Sequence, residues 1–298
     1  MSLSIFHAAG SAFDSDELQR MILEKGVVIL RNGKCTRDDF IRFSERIGTD
    51  FVTIEEGAGR GRIGGGYSGR DMVDGIRSLF SVTGKGFGHG VPLHGELYFQ
   101  QPDPPHLLWF YCQTPSHSGG ETLFCDGEVL FAALPEAVQR RLLETELIYT
   151  RRLDTDVWPV HYGVSDPAEI EGLGNTEISV NEDGSITTHF RSPAIRLRRG
   201  KPVFINNLLP FALREMHSPD ETRARVRLGS GTAIPAAEIL QIENIAASLA
   251  ESIAWRAGDI AIIDNTRVLH GRNPVNDSAR EIYVRISNAA FISDFLRG

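Results

Sequence analysis

The stretch Val91-Pro92-Leu93-His94-Gly95-Glu96-Leu97-Tyr98-Phe99 decides how the rest of this chain is read. It sets an imidazole and a carboxylate two residues apart inside an apolar frame. On a β-strand, residues i and i+2 share a face, so His94 and Glu96 are expected to aim at one point and hold one metal ion. Such a pair is two thirds of the facial triad that holds Fe(II) and leaves coordination positions open. Nine histidines and 39 acidic residues in 298 yield about one His-x-Asp/Glu by chance, so the pair carries weight only with its context. Taken alone it reads equally well as a hydrogen-bonded histidine at the end of a half-buried strand. None of the other eight histidines has Asp or Glu two residues on.

A third ligand has to come from elsewhere. The segment Gly258-Asp259-Ile260-Ala261-Ile262-Ile263-Asp264-Asn265-Thr266-Arg267-Val268-Leu269-His270-Gly271-Arg272 offers His270 a few residues after a buried strand, at a sheet edge. A lone histidine there is usually structural. A His-x-Glu elsewhere in the chain reverses that weighting and predicts a triad of His94, Glu96 and His270.

The whole chain sets the limits. A length of 298 residues suits one domain spanning 1–298, and 41% hydrophobic with 23% charged residues is ordinary globular composition. No apolar run has membrane-spanning length. A net charge of −8 argues against nucleic acid or an anionic membrane as a general partner, though a small anionic ligand needs only a local basic residue. Cys35, Cys112 and Cys125 form no close-spaced metal motif. With no secretion-signal pattern at the start, they are expected to be reduced thiols in the cytoplasm.

Helices are expected from about Asp14 to Lys25, from Thr36 through Ile47, after Asp126, after Pro135, and from Pro235 to about Glu251. Strands are expected at Val27–Leu30, His106–Cys112, Glu121–Cys125, Ala194–Leu197, Val203–Asn207, Ser252–Trp255, Ile260–Ile263 and Glu281–Ile286. The glycine-rich segment Gly57 to Gly90 and the polar segment Arg151 to Arg191, with a hairpin turn at Asn181–Gly184, read as irregular covers over the site. Many short strands with helices in the connections predict a mainly β fold with α elaboration, a sandwich or barrel.

With these residues in place, the chain resembles the TauD/TfdA-type, clavaminate-synthase-like Fe(II)/2-oxoglutarate dioxygenases. The similarity runs from about Val27 to Ile286. Pro92-Leu93-His94-Gly95-Glu96, Ser118-Gly119-Gly120-Glu121-Thr122 and His270-Gly271-Arg272-Asn273-Pro274 look most like the branch containing the syringomycin-biosynthesis hydroxylase. The resemblance implies a double-stranded β-helix, or jelly-roll, core. It implies Fe(II) on His94, Glu96 and His270, with 2-oxoglutarate and O2 as co-substrates. Thr122 and Arg280 fall where the family contacts 2-oxoglutarate. Glu96 in place of a small residue argues against halogenation. The expected reaction is hydroxylation of a small amino-acid-like or natural-product substrate, free or on a carrier protein, with release of succinate and CO2. Two alternatives stay open: a jelly-roll metal-binding protein without oxygenase activity, and a related enzyme that desaturates or cyclises. Sequence leaves the oligomeric state undetermined. Phe87, Tyr98 and Phe99 are candidates for an apolar substrate wall, with core packing as the competing role.

Two arginines compete as the co-substrate anchor. In Arg280-Glu281-Ile282-Tyr283-Val284-Arg285-Ile286 the apolar residues alternate with Glu281, Tyr283 and Arg285. Arg280 shares the parity of Ile282 and Val284 and is expected to point into the core. Arg285 has the opposite parity. It reads as a surface arginine pairing with Glu281 or a neighbouring strand, or as a substrate contact as in relatives with two such arginines.

Overall fold

The computed structural model describes residues 4–7, 14–31, 34–53, 72–82, 88–170, 176–219 and 223–297. The strands are β1 (Ser4–His7), β2 (Val27–Arg31), β3 (Met72–Val73), β4 (Ile76–Ser81), β5 (Val91–His94), β6 (Leu107–Thr114), β7 (Thr122–Asp126), β8 (Glu146–Leu153) and β9 (Thr176–Val180). They continue with β10 (Ile186–Pro193), β11 (Arg196–Arg198), β12 (Lys201–Val203), β13 (Ala224–Leu228), β14 (Glu251–Ile253), β15 (Ile260–Asp264), β16 (Val268–Arg272) and β17 (Glu281–Ser287). The helices used below are α1 (Ser15–Lys25), α2 (Arg37–Glu45), α3 (Gly127–Ala133), α4 (Glu136–Leu143), α5 (Trp158–Tyr162), α6 (Leu208–His217), α7 (Ala236–Leu249) and α8 (Ala290–Arg297).

Seven strands make a major sheet in the order β1-β2-β15-β6-β17-β4-β3, and four make a minor sheet in the order β14-β7-β16-β5. Apart from the parallel β1–β2 pair, neighbours in both are antiparallel. The central strands of the major sheet read as unbroken apolar runs because both their faces are covered. Val28, Leu30, Trp109, Tyr111, Ile260, Ile262 and Tyr283 pack outward against Leu18 and Ile22 of α1, Phe40 of α2 and Ile292 of α8. Their alternates Ile29, Phe110, Ala261, Ile282 and Val284 pack inward against Phe124, Ile253 and Val268 of the minor sheet. Each fully buried side chain of this kind contributes about 1.5–3 kcal/mol. Two facing, mainly antiparallel sheets around one inner core are the double-stranded β-helix that the motifs implied.

Local chemistry sets the ends of the covering helices. Asp14 caps α1 by accepting the Asp16 N–H at 3.0 Å. Gly26 ends it at φ 76°, where an added Cβ would meet Val268 Cγ2 at 2.6 Å. Thr36 and Asp39 form a reciprocal capping box on α2.

The outer face of the minor sheet carries a second layer. Leu93, Cys125 and Leu269 pack there with residues of α3, α4, α6 and α7 and with Leu147, Tyr149, Phe190 and Val226 of a further antiparallel sheet, β13-β8-β10-β9. This sheet corrects the reading of 151–191 as irregular. The Asn181–Gly184 hairpin turn is present, but it joins two paired strands, β9 and β10. In β10 the buried positions are Ile186, Thr188, Phe190 and Ser192. Alternation is present, yet half its inward members are hydroxyls, which conceals the period from hydrophobicity. The other adjustments are shorter: Phe204–Asn207 leaves the ladder after β12, and β14 stops at Ile253. Most of the Gly57–Gly90 segment lies outside the described residues.

Candidate active site

β5 lies antiparallel to β16 with His94 directly opposite His270, and the two rings are 4.3 Å apart between centroids. Gly271 makes this pairing possible, since a Cβ there would sit 2.7 Å from the Val91 carbonyl oxygen and 3.2 Å from Leu93 N. His270 also faces Phe124 across β7 and lies 5.9 Å from the Phe110 ring, on the inner wall of the two-sheet core.

Glu96 arrives differently from the expectation. β5 ends at His94, so Glu96 stands in the turn that follows and not on the same strand face. Leu97 then adopts a left-handed φ of 67° while remaining 3% exposed in the inner core. A non-glycine residue there costs about 1–3 kcal/mol and persists only where its surroundings hold it. Those surroundings are specific. The Gly95 N–H donates to the Asn206 carbonyl at 2.9 Å. The Glu96 N–H donates to Asn265 Oδ1 at 2.8 Å, and Asn265 Nδ2 donates to the Glu96 carbonyl at 3.2 Å. The Tyr98 hydroxyl donates to the Asn265 carbonyl at 2.9 Å.

The outcome is a cluster. One ligand atom from each of His94, Glu96 and His270 lies within 4.8 Å of the others, and His270 Nε2 is 3.5 Å from Glu96 Oε2. Metal bonds of about 2.1 Å at right angles separate donor atoms by about 3 Å, so small rotamer adjustments close the set on an ion. His94 Nδ1 is 2.8 Å from the Pro92 carbonyl oxygen. A carbonyl only accepts, so Nδ1 carries the proton and Nε2 presents its lone pair, the tautomer a metal needs. Two imidazoles and one carboxylate, with both Glu96 and His270 buried, form the donor set suited to Fe(II).

Beside the triad the inner wall turns cationic. Arg272 has the parity of His270 on β16 and is opposite Thr122. Its guanidinium donates to the Val82 and His89 carbonyl oxygens, both at 3.2 Å. Arg280 is 3% exposed and lies under Gly120, where a Cβ would come within 2.9 Å of its Cδ and Nε. Burial, and next the Arg272 charge, pulls the Arg280 pKa down to about 10. Burial lowers that of Arg272 as well. Both cations thus sit where burial disfavours their charge. The Thr122 hydroxyl accepts from Trp255 Nε1 at 3.0 Å on the same wall and keeps its own proton to donate.

Arg285 is a correction. Its parity is as expected, opposite to Ile282 and Val284, but α2 covers that face and the guanidinium is 3% exposed. It donates to the Ile41 carbonyl (3.0 Å), Ser44 Oγ (2.6 Å), Ser78 Oγ (2.9 Å) and Glu45 (3.1 Å), and stacks over Phe51. It ties α2 to the major sheet and is not at the surface. Tyr98 is a core residue behind the Glu96 turn, with its hydroxyl pKa raised by burial. Phe99 lies between the Phe211 ring, 5.4 Å away, and the Arg151 guanidinium, 4.9 Å away. Phe87 lies outside the described residues. Arg272, Gly271 and Asn265 had no role assigned from sequence. Only the adjacency of Gly271 and Arg272 to His270 could have flagged the first two; nothing local marks Asn265.

The sequence model of the family described as "Taurine catabolism dioxygenase TauD, TfdA family" matches residues 2–286. The chain belongs to this family. Its Fe(II)- and 2-oxoglutarate-dependent oxygenase character follows from that membership together with the His-Glu-His group. A clavaminate synthase-like protein of Arabidopsis thaliana is 26% identical over 291 residues, covering 88% of this chain and 82% of that one. The dapdiamide synthesis protein DdaC of Enterobacter agglomerans is 21% identical over 287 residues, again covering 88% and 82%. Among solved structures, PvcB, described as an Fe, α-ketoglutarate dependent oxygenase from an isonitrile synthetic pathway, superposes with a TM-score of 0.54 at 13% identity. That match covers 93% of this chain and 81% of PvcB and bears on the fold alone. The TauD/TfdA chain described here has no helix, among the described residues, long and apolar enough to cross a membrane.

Proposed function

We propose that this TauD/TfdA-family enzyme hydroxylates a small amino-acid-like or natural-product molecule, with Fe(II) held by His94, Glu96 and His270. Thr122 and Arg280 bind 2-oxoglutarate, assisted by Arg272. The observation that carries this reading is the convergence of the three donor side chains on a wall that also presents two buried guanidinium groups. When bound, Fe(II) with 2-oxoglutarate and O2 supplies oxidation of a substrate C–H bond coupled to decarboxylation of the co-substrate to succinate and CO2.

The chain's own residues supply binding, orientation and a dry site. Arg280 presents a planar pair of donors that matches the distal carboxylate of 2-oxoglutarate. The Thr122 hydroxyl, its lone pair taken by Trp255, is left with a proton for a second carboxylate contact. Phe110 and Phe124 exclude water beside His270. The substrate class is supported by one of the relatives above, which is named for the synthesis of dapdiamide. The Pro92–Glu96 and His270–Pro274 motifs support placement in the syringomycin-type branch. Three free cysteines support residence in the reducing cytoplasm. One domain over 1–298 is supported by the major sheet, which takes strands from both ends of the chain.

The test is succinate formation with Fe(II), 2-oxoglutarate and O2 against a panel of amino acids, aminoacyl carriers and sulfonates. A hydroxylated product should appear with one of the amino-acid-type compounds. It should be lost in Glu96→Ala and His270→Ala with far-UV circular dichroism retained. Full activity in His270→Ala would end the triad assignment.

A further inference from the structure

His94 and His270 stand on paired strands, where the ladder fixes the backbone. Glu96 stands in a turn, next to a leucine in the left-handed region, and its backbone N–H and C=O have no ladder to enter. One side chain takes both. Asn265 accepts the Glu96 N–H at 2.8 Å through Oδ1 and donates to the Glu96 carbonyl at 3.2 Å through Nδ2. Its second amide hydrogen goes to the Pro105 carbonyl at 2.7 Å, and its backbone N–H to the His106 carbonyl at 2.8 Å. Asn265 is completely buried, and all three of its N–H donors are engaged. Among side chains of this size, only the asparagine amide offers an acceptor and two donors at once.

The position of Asn265 in the chain matters as much. It occupies the turn between β15 and β16, and β16 carries His270. That turn is itself locked. Asp264 Oδ1 accepts from Thr266 N at 2.9 Å and Thr266 Oγ1 at 2.5 Å, and Asp264 Oδ2 accepts from Arg198 Nη2 at 2.7 Å. One residue thus joins the segment bearing the carboxylate to the segment bearing the distal histidine. The Tyr98 hydroxyl closes the loop by donating to the Asn265 carbonyl from two residues beyond Glu96.

We propose that Asn265 is a positioning residue that sets the Glu96 carboxylate against the two histidines and thereby sets the affinity of the metal site. The proposal rests on the triad reading above. Side chains that orient metal ligands without touching the ion typically change metal affinity ten- to a hundredfold when removed. Here the orientation is of a backbone unit, so the effect reaches the carboxylate through Cα and not through a bond to its oxygens.

The test uses the full-length protein and Co(II) alone as probe, reading its d–d absorption during titration, with thermal unfolding of the metal-free protein in parallel. Asn265→Asp keeps the shape and the acceptor but turns an oxygen toward the Glu96 and Pro105 carbonyls. Its Co(II) dissociation constant should rise about ten- to a hundredfold. Tyr98→Phe removes one hydroxyl and should weaken Co(II) several-fold. Leu79→Ala, in the outer core, should lower the melting temperature and leave Co(II) affinity at the wild-type value. Wild-type affinity in Asn265→Asp overturns the proposal, as does an equal loss in Leu79→Ala. If Asn265→Asp does not fold, unchanged affinity in Tyr98→Phe overturns it. Glu96→Ala separates the two readings: wild-type Co(II) binding there refutes the triad itself, whereas lost binding there with normal binding in the Asn265 and Tyr98 variants refutes only the role of Asn265.

Discussion

Replacing Arg280 by alanine should remove the anchor of the co-substrate's distal carboxylate. The Arg280 guanidinium is 3% exposed, and burial followed by the Arg272 charge lowers its pKa from 12.5 to about 10. At about 1.4 kcal/mol per pKa unit, the ligand-free fold disfavours that charge by roughly 3 kcal/mol. The sign is that of a base whose folded pKa is depressed. The penalty is present at every pH below about 10, so removing the cation relieves it at neutral pH. A bound distal carboxylate offsets the same penalty, and truncating one partner of such a buried pair costs about 2–5 kcal/mol. A loss of about 2.7 kcal/mol is a hundredfold in dissociation constant. Calorimetric titration of 2-oxoglutarate into the Co(II)-loaded protein should therefore show about a hundredfold weaker binding in Arg280→Ala. Arg285→Ala is the contrast. It strips the Ile41, Ser44 and Ser78 contacts under α2, which should cost about 1–3 kcal/mol of stability. Its 2-oxoglutarate affinity, measured below the unfolding range, should stay at the wild-type value. Normal binding in Arg280→Ala, or weak binding confined to Arg285→Ala, would refute the reasoning.

Gly271→Ala places a Cβ 2.7 Å from the Val91 carbonyl and should force β5 off β16, costing about 1–3 kcal/mol and weakening Co(II) binding at the same time; denaturant titration and Co(II) absorption check both. His161 should give the fold part of its acid sensitivity. Burial, then the Arg151 charge, lowers its pKa to about 3, so between the unfolded value of 6.5 and about 3 only the unfolded chain binds the proton. Its contribution is complete above pH 6.5 and falls as pH drops, by about 1.4 kcal/mol per unit, and His161→Gln should flatten the urea-measured stability by that slope between pH 6 and 4.

Where residues bury themselves on both faces, the sequence was legible. Val27–Leu30, Leu107–Cys112 and Ile260–Ile263 are continuous apolar runs because the major sheet has helices on one side and the minor sheet on the other. Such runs identify strands without any help from periodicity. The auxiliary sheet was not legible for the opposite reason. Thr188 and Ser192 occupy inward positions of β10 and are buried, and Arg151 does so on β8. A sheet whose interior is partly polar alternates in burial without alternating in hydrophobicity.

The candidate site divides along the same line between chemistry and conformation. His94, Glu96 and His270 were recognisable because their residue types state their chemistry. The geometry that unites them does not follow from strand periodicity. A strand was expected to carry Glu96 to the same face as His94, whereas the strand ends and a turn does the work, with Leu97 at φ 67°. Nothing in Leu97 announces that conformation, because leucine adopts it only when the surrounding fold imposes it. Asn265 is the same case seen from the other end. In sequence it is one polar residue in a short turn, where asparagine is the ordinary choice. Its amide reaches Glu96, 169 positions away along the chain, and that distance is visible only after both sheets have closed. Arg285 completes the contrast. Strand parity correctly placed it opposite the inner core, but parity distinguishes faces and not what covers them, and α2 lies over that face. Local rules therefore reach as far as the identity and facing of a side chain. What a facing side chain meets is decided by pairings between distant segments, and the carboxylate of this site is held by one of those.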